Sequence, residues 1–103
     1  MLGEELLVEV AQQVFDGCET VTTPAGNARV QRTSKQKLRR VEFVAGEQQL
    51  VGIEQNPNTA SRWAQLAREG HKVMQFRDAR TSAYVANVVD GKVTFYHRQQ
   101  EKS

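Results

Sequence analysis

Apolar residues recur at three- and four-residue intervals near the start of the chain, where Leu6, Leu7, Val10, Ala11, Val14 and Phe15 are interleaved with Glu4, Glu5, Glu9, Gln12 and Gln13. That period predicts an amphipathic helix over residues 3–16, stopped near Gly17, with its glutamates in the first half where the helix dipole favours negative charge. The period then shortens. "TVTTPAGNARVQRT" predicts two strands around a turn at Pro24, Gly26 and Asn27, and "RRVEFV" with "QQLVGIEQ" predicts a second pair around Ala45, Gly46 and Glu47. Gly52, inside the later run, marks a bulge or a close approach of another group to the backbone.

Helical signals return in "EQNPNTASRWAQLAREG", residues 54–70. Asn56 as N-cap, Pro57 in the first turn and the Arg68 and Gly70 stop frame a helix of about 13 residues. Ala60, Trp63, Ala64 and Ala67, with Leu66 alongside, share one face of it, so Trp63 is the only bulky residue on that stripe and is expected to anchor the helix in the core. The remaining chain carries the strongest hairpin signal. Asp90 and Gly91 between Val89 and Lys92 suit a type I′ turn, whose two central residues need positive φ. Counting back from it pairs Val88 with Val93, Ala86 with Phe95 and Tyr84 with His97 on the core face, and Asn87 with Thr94 and Val89 with Lys92 on the other. A three-residue loop at Ala79, Arg80 and Thr81 brings Met74 and Phe76 onto the core face as well.

These elements predict a single α+β domain over 1–103: two layers, two helices packed on a mainly antiparallel sheet of hairpins, in the order α-ββββ-α-βββ, with 98–103 as a frayed C-terminal tail. Composition adds little to this picture, since 25% charged and 39% hydrophobic residues are ordinary globular values. No apolar run nears the roughly 20 residues that span a bilayer, and "MLGEELLVEV" has acids where a secretory signal carries bases. A cytoplasmic protein that does not engage membranes is the expectation. Cys18 is the only cysteine, which excludes an internal disulfide, and it reads as a small buried hydrophobe.

Charge is unevenly distributed along the chain. Residues 1–28 hold five acids and no Lys or Arg, whereas "RVQRTSKQKLRR", residues 29–40, holds six bases and no acid. That segment reads as a finger tipped by Lys35 and Lys37 and flanked by Arg32, Arg39 and Arg40. It has three possible roles: a solvated loop that protects a sheet edge, a contact for an acidic partner or the chain's own first helix, or a phosphate clamp beside stacking faces at Phe43, Phe76 and Tyr96. His71 and His97 lack ligands at helical spacing, Asp78 and Asp90 occupy turns, and no phosphate loop or nucleophile elbow is present, so neither a metal, a cofactor nor a catalytic residue is expected. The sequence therefore predicts a non-enzymatic binding module whose partner is another protein or a second copy. The alternative is a weak, sequence-nonspecific single-stranded nucleic-acid binder using the 29–40 hairpin and its Arg32, Lys35, Lys37, Arg39 and Arg40.

Overall fold

A computed structural model describes residues 3–96 of the protein, so His97 and the expected tail at 98–103 lie outside the described residues. Helix α1 (Glu4–Phe15) leads into strands β1 (Thr20–Thr23), β2 (Gly26–Arg32), β3 (Arg39–Ala45) and β4 (Gln48–Glu54). A short helix α2 (Arg62–Arg68) follows, then β5 (Val73–Asp78), β6 (Tyr84–Val89) and β7 (Lys92–Phe95). The α-ββββ-α-βββ order is as the sequence predicts. All seven strands form one antiparallel meander in which every neighbour in the sheet is also a neighbour in sequence.

The apolar stripe of α1 fills one face of this sheet. Leu7, Val10, Ala11 and Val14 are buried with Val21, Val41, Phe43, Leu50, Met74, Phe76, Ala86 and Val88 in a single cluster. Helix α1 touches β1 at one edge of the sheet and β6 and β7 at the other. A sheet whose opposite edges both approach one helix is concave toward it, the curl that strand twist accumulates over a long meander. Strand β2 helps to make the bend, because its first residues pair with β1 and Val30–Arg32 pair with β3.

Gly52 is where the curled sheet has least room. A Cβ there would lie 2.7 Å from Cε1 of Phe76, the residue paired with it across β4 and β5. The bare backbone lets the Phe76 ring sit edge-on to Phe43, with centroids 5.9 Å apart at 87°. The Asp90–Gly91 turn has φ of +49° and +87° and sets the predicted register, Val89↔Lys92 through Ala86↔Phe95. Elsewhere the turns are tighter than read. Pro24 and Ala25 alone join β1 to β2, with Gly26 and Asn27 already paired in β2, and Gly46 and Glu47 alone join β3 to β4. Between β5 and β6 the connection is longer than three residues, because the Asp78 N–H bonds the Ala83 carbonyl and Ala79–Ser82 form the loop.

Helix α2 corrects the sequence reading most. Asn56 caps a turn, not a helix: its Oδ1 accepts the Asn58 N–H at 2.9 Å. The helix begins after Ser61, whose hydroxyl accepts the Ala64 N–H at 3.1 Å, while the Arg68 guanidinium donates to the Pro57 and Thr59 carbonyls and holds that segment back along the helix. Only Ala64 of α2 is buried. Trp63 is half-buried, outside the core cluster, with the Arg62 guanidinium 4.4 Å from its ring centroid. Helix α2 packs on β5 and buries Ala64, and Trp63, one position and about 100° away on the helix, is turned to a different side. Cys18, expected inside, is exposed in the connection after α1.

Gly52→Ala should lower stability by about 1–3 kcal/mol, because the ring it would strike is fully buried and cannot move without displacing Phe43. Urea unfolding of the variant beside wild type checks this; equal midpoints would show that the core relaxes around the added methyl.

Candidate functional site

The basic hairpin does not present its five cations together. Strand alternation and the register Arg32↔Arg39 and Gln31↔Arg40 put Arg32 and Arg39 on one face of the sheet and Arg40 on the other. Arg39 turns inward. Its Nη1 donates to the Val14 carbonyl at 2.8 Å, its Nη2 to Glu54 Oε2 at 2.9 Å, and its guanidinium lies 5.1 Å from the Phe15 ring centroid. The Arg39 backbone N–H reaches the other Glu54 oxygen at 2.7 Å. This one side chain thus ties β3 to β4 and satisfies a carbonyl in the last turn of α1, where a cation is favoured by the helix dipole.

Arg32 is also engaged within the molecule. Its Nη1 donates to the Lys37 carbonyl at 2.7 Å and holds Lys37 in the left-handed region at φ +60°. Arg40 lies 3.8 Å from Glu42, too long for more than a weak surface pair. Lys35 and Lys37 are exposed at the tip. Phe43 and Phe76, read as stacking faces for bases, are buried in the core and cannot serve one.

The electrostatics around Arg39 agree with a structural role. Hydrogen bonding to Glu54 raises the Arg39 pKa, against an opposing effect of burial, with the Glu54 charge adding to the rise. Partial burial pushes Glu54 upward, but the guanidinium, the Arg39 backbone N–H and the charges of Arg39 and Arg32 together hold its carboxyl below the ordinary glutamate value. A half-open cavity of about 300 Å³ adjoins the pair, walled by Phe15, Leu38, Ala67 and Val73 with Arg32 and Lys37 at its side.

The opposite, outer face of the sheet carries the group that sequence reasoning missed. Between Phe76 and Arg77 the β5–β6 register shifts, pairing Phe76 with Ala86 but Arg77 with Tyr84. The extra residue, Val85, moves Tyr84 off the core face where simple alternation placed it; Tyr84 is 46% exposed. Its ring stacks on Tyr96, centroids 5.1 Å apart at 27°, and the Arg77 guanidinium sits 4.5 Å from its centroid while Nη2 donates to its hydroxyl at 3.2 Å. Gln75 fixes Arg77 through a 3.0 Å bond from Nε. Tyr96 is held from below by Asn87, a fully buried side chain whose Nδ2 donates to the tyrosine oxygen at 2.7 Å. The register surrounds this stack with Val51, in the row of Arg77 and Tyr84, and with Ile53, in the row of Gln75, Asn87 and Thr94. The only hint in the sequence was a tyrosine at the start of a strand otherwise of small and aliphatic residues.

The remaining polar groups serve the turns. Asp78 Oδ1 accepts the Arg80 and Thr81 N–H groups and its Oδ2 accepts from Gln48; Asp90 accepts the Lys72 N–H and pairs with His71 Nδ1. These donors hold both carboxyls below their ordinary values, Asp78 chiefly through Gln48 and Asp90 chiefly through the Lys72 N–H. A second cavity, about 470 Å³, lies between α1 and the Asp90–Gly91 turn. Among the described residues no three His, Cys, Asp or Glu side chains converge as a metal site, and no helix is long and apolar enough to cross a membrane. Comparison with family models, curated proteins and solved structures finds no match to this chain.

Because the folded-state pKa of Glu54 is depressed, its pairing stabilises the fold above the ordinary glutamate pKa, and that stability is lost as pH falls through the lowered value. Glu54→Gln should therefore cost about 1–2 kcal/mol at neutral pH, with the gap from wild type closing in acid. Melting curves of both proteins across the acid range check this, since Asp78 and Asp90 titrate alike in each and drop out of the difference.

Proposed function

We propose that this is a non-enzymatic binding module that docks another protein on the outer face of its sheet, with Tyr84 at the centre. The observation that carries the reading is the exposed tyrosine inside an ordered Arg77–Tyr84–Tyr96 stack. Tyrosine and arginine dominate interface hot spots, and rings already fixed by hydrogen bonds lose little further freedom on binding. Val51 and Ile53 offer apolar area beside the stack. Arg40, Arg77 and Lys92 outnumber Glu42 on this face, which favours a partner that sets an apolar side chain on the tyrosines within an acidic rim.

The single-stranded nucleic-acid reading has less to draw on than the sequence suggested. With Arg32 and Arg39 bonded internally, Lys35, Lys37 and Arg40 remain to meet phosphates. Three contacts give a slope of about −2 in log affinity against log salt.

The test is a photo-crosslinking amino acid at Tyr84, compared with one at exposed Gln12 on α1, in the protein's native cells. We expect one dominant protein adduct from position 84 that is absent from position 12, and a drop of about thirtyfold or more in affinity for that partner with Arg77→Ala, as for a hot-spot side chain. Equal adducts from both positions overturn the reading. So does tight oligonucleotide binding at low salt that Gln at Lys35, Lys37 and Arg40 abolishes, which transfers the function to the hairpin.

A further inference from the structure

The two edges of the sheet are treated differently. In β1 the Thr23–Gly26 pair flanks the two-residue turn and the Val30 N–H bonds the Glu19 carbonyl, so the N–H and C=O of Thr20 and Thr22 point away from the sheet. Gln13 of α1 closes this edge. Its Oε1 accepts the Thr22 N–H at 2.9 Å and its Nε2 donates to the Thr22 carbonyl at 3.2 Å, so a side-chain amide stands where a further strand would pair. At β7 the same reasoning gives the outward groups as those of Val93 and Phe95, because Val89↔Lys92 flanks the turn and the Tyr96 N–H bonds the Val85 carbonyl. Among the described residues no side chain or strand meets the outward groups of Val93 and Phe95.

We propose that β7 pairs with β7 of a second copy, antiparallel about a twofold axis at Thr94. The register follows from which groups point outward. Of the twofold registers that match outward groups with outward groups, the one centred on Thr94 keeps both within β7: Val93 and Phe95 exchange hydrogen bonds with Phe95 and Val93 of the second copy, four bonds in all, and Thr94 lies opposite Thr94. The side chains then fall into favourable cross-strand pairs. Val93 meets Phe95 on the core side, threonine meets threonine on the outer side, and Lys92 lies opposite the Tyr96 ring with no like charges facing each other. That self-complementarity is why the occupant is a second copy and not an unrelated strand. A closed twofold pairing also consumes the open edge, so it ends at two copies. The contact uses an edge four residues long, so the dimer is weak and concentration-dependent. It leaves Tyr84 uncovered and does not depend on the docking face proposed above.

The test introduces Thr94→Cys into a Cys18→Ser background. Directly opposed cysteines in a pair that exchanges no hydrogen bonds have the short Cα separation a disulfide accepts. Mild oxidation should convert most of the protein to a disulfide-linked dimer, whereas Lys92→Cys, which faces Tyr96 and not itself, should cross-link at least tenfold less. Adding Val93→Pro should abolish the Thr94→Cys cross-link, since proline removes an outward N–H that the monomer does not use. Should that proline lower the melting temperature, Thr94→Lys on the exposed outer side gives the same information by sedimentation: wild type gains mass with concentration and the lysine variant stays monomeric. Equal cross-linking from positions 92 and 94, cross-linking that survives Val93→Pro in a folded protein, or a wild type that remains monomeric at the highest soluble concentration each overturns the proposal.

Discussion

The curvature of the sheet against a single helix is the constraint on which the rest depends. Among the described residues helix α1 supplies the only helical surface in the main core, with Leu7, Val10 and Val14 fully buried, and the sheet reaches it from both edges. A helix in that position has to be fixed at its end as well as along its stripe. Arg39 does this by bonding the Val14 carbonyl, Glu54 orients Arg39, and Gln13 fastens the side of the helix to β1. Gly52 belongs to the same system, because the concave face closes only if Phe76 can lie against bare backbone.

Much of this was legible in the sequence because the deciding signals were local. The 3.6-residue stripe of α1 and the Asp90–Gly91 turn each settle their geometry within a few residues, and both stand as read. What failed was decided at longer range. Asn56 and Pro57 carry sound helix-start chemistry, yet Arg68 captures the carbonyls of Pro57 and Thr59 and the helix starts at Ser61 instead. Trp63 stands outside the core because the one buried position of α2 is Ala64, the next residue, about 100° round the helix. Tyr84 left the core face through a bulge between Phe76 and Arg77, a feature that alternation of apolar residues does not encode.

The candidate site shows the same division in terms of charge. The bases of residues 29–40 read as a finger tipped by Lys35 and Lys37 and flanked by Arg32, Arg39 and Arg40, but strand alternation separates neighbours by face, and two of the five named cations are held by oxygen atoms of their own chain. Burial of a guanidinium requires such partners, so the arginines best placed to order the fold are the least available to a ligand. The outer face has the opposite history. No cluster is visible along the chain at Arg77, Tyr84 and Tyr96; β5, β6, the residue after β7 and one register shift bring them together.

The strictly sequential order of the strands has a consequence for synthesis. Each strand can pair with the one before it as soon as it leaves the ribosome, so the sheet grows in one direction without waiting for distant segments. Helix α1, however, packs against β6 and β7, which follow it in the chain only after five strands and α2. Until β6 and β7 are made, Leu7, Val10 and Val14 face a cradle that lacks one wall, and part of the apolar stripe of α1 stays uncovered until the Asp90–Gly91 hairpin closes.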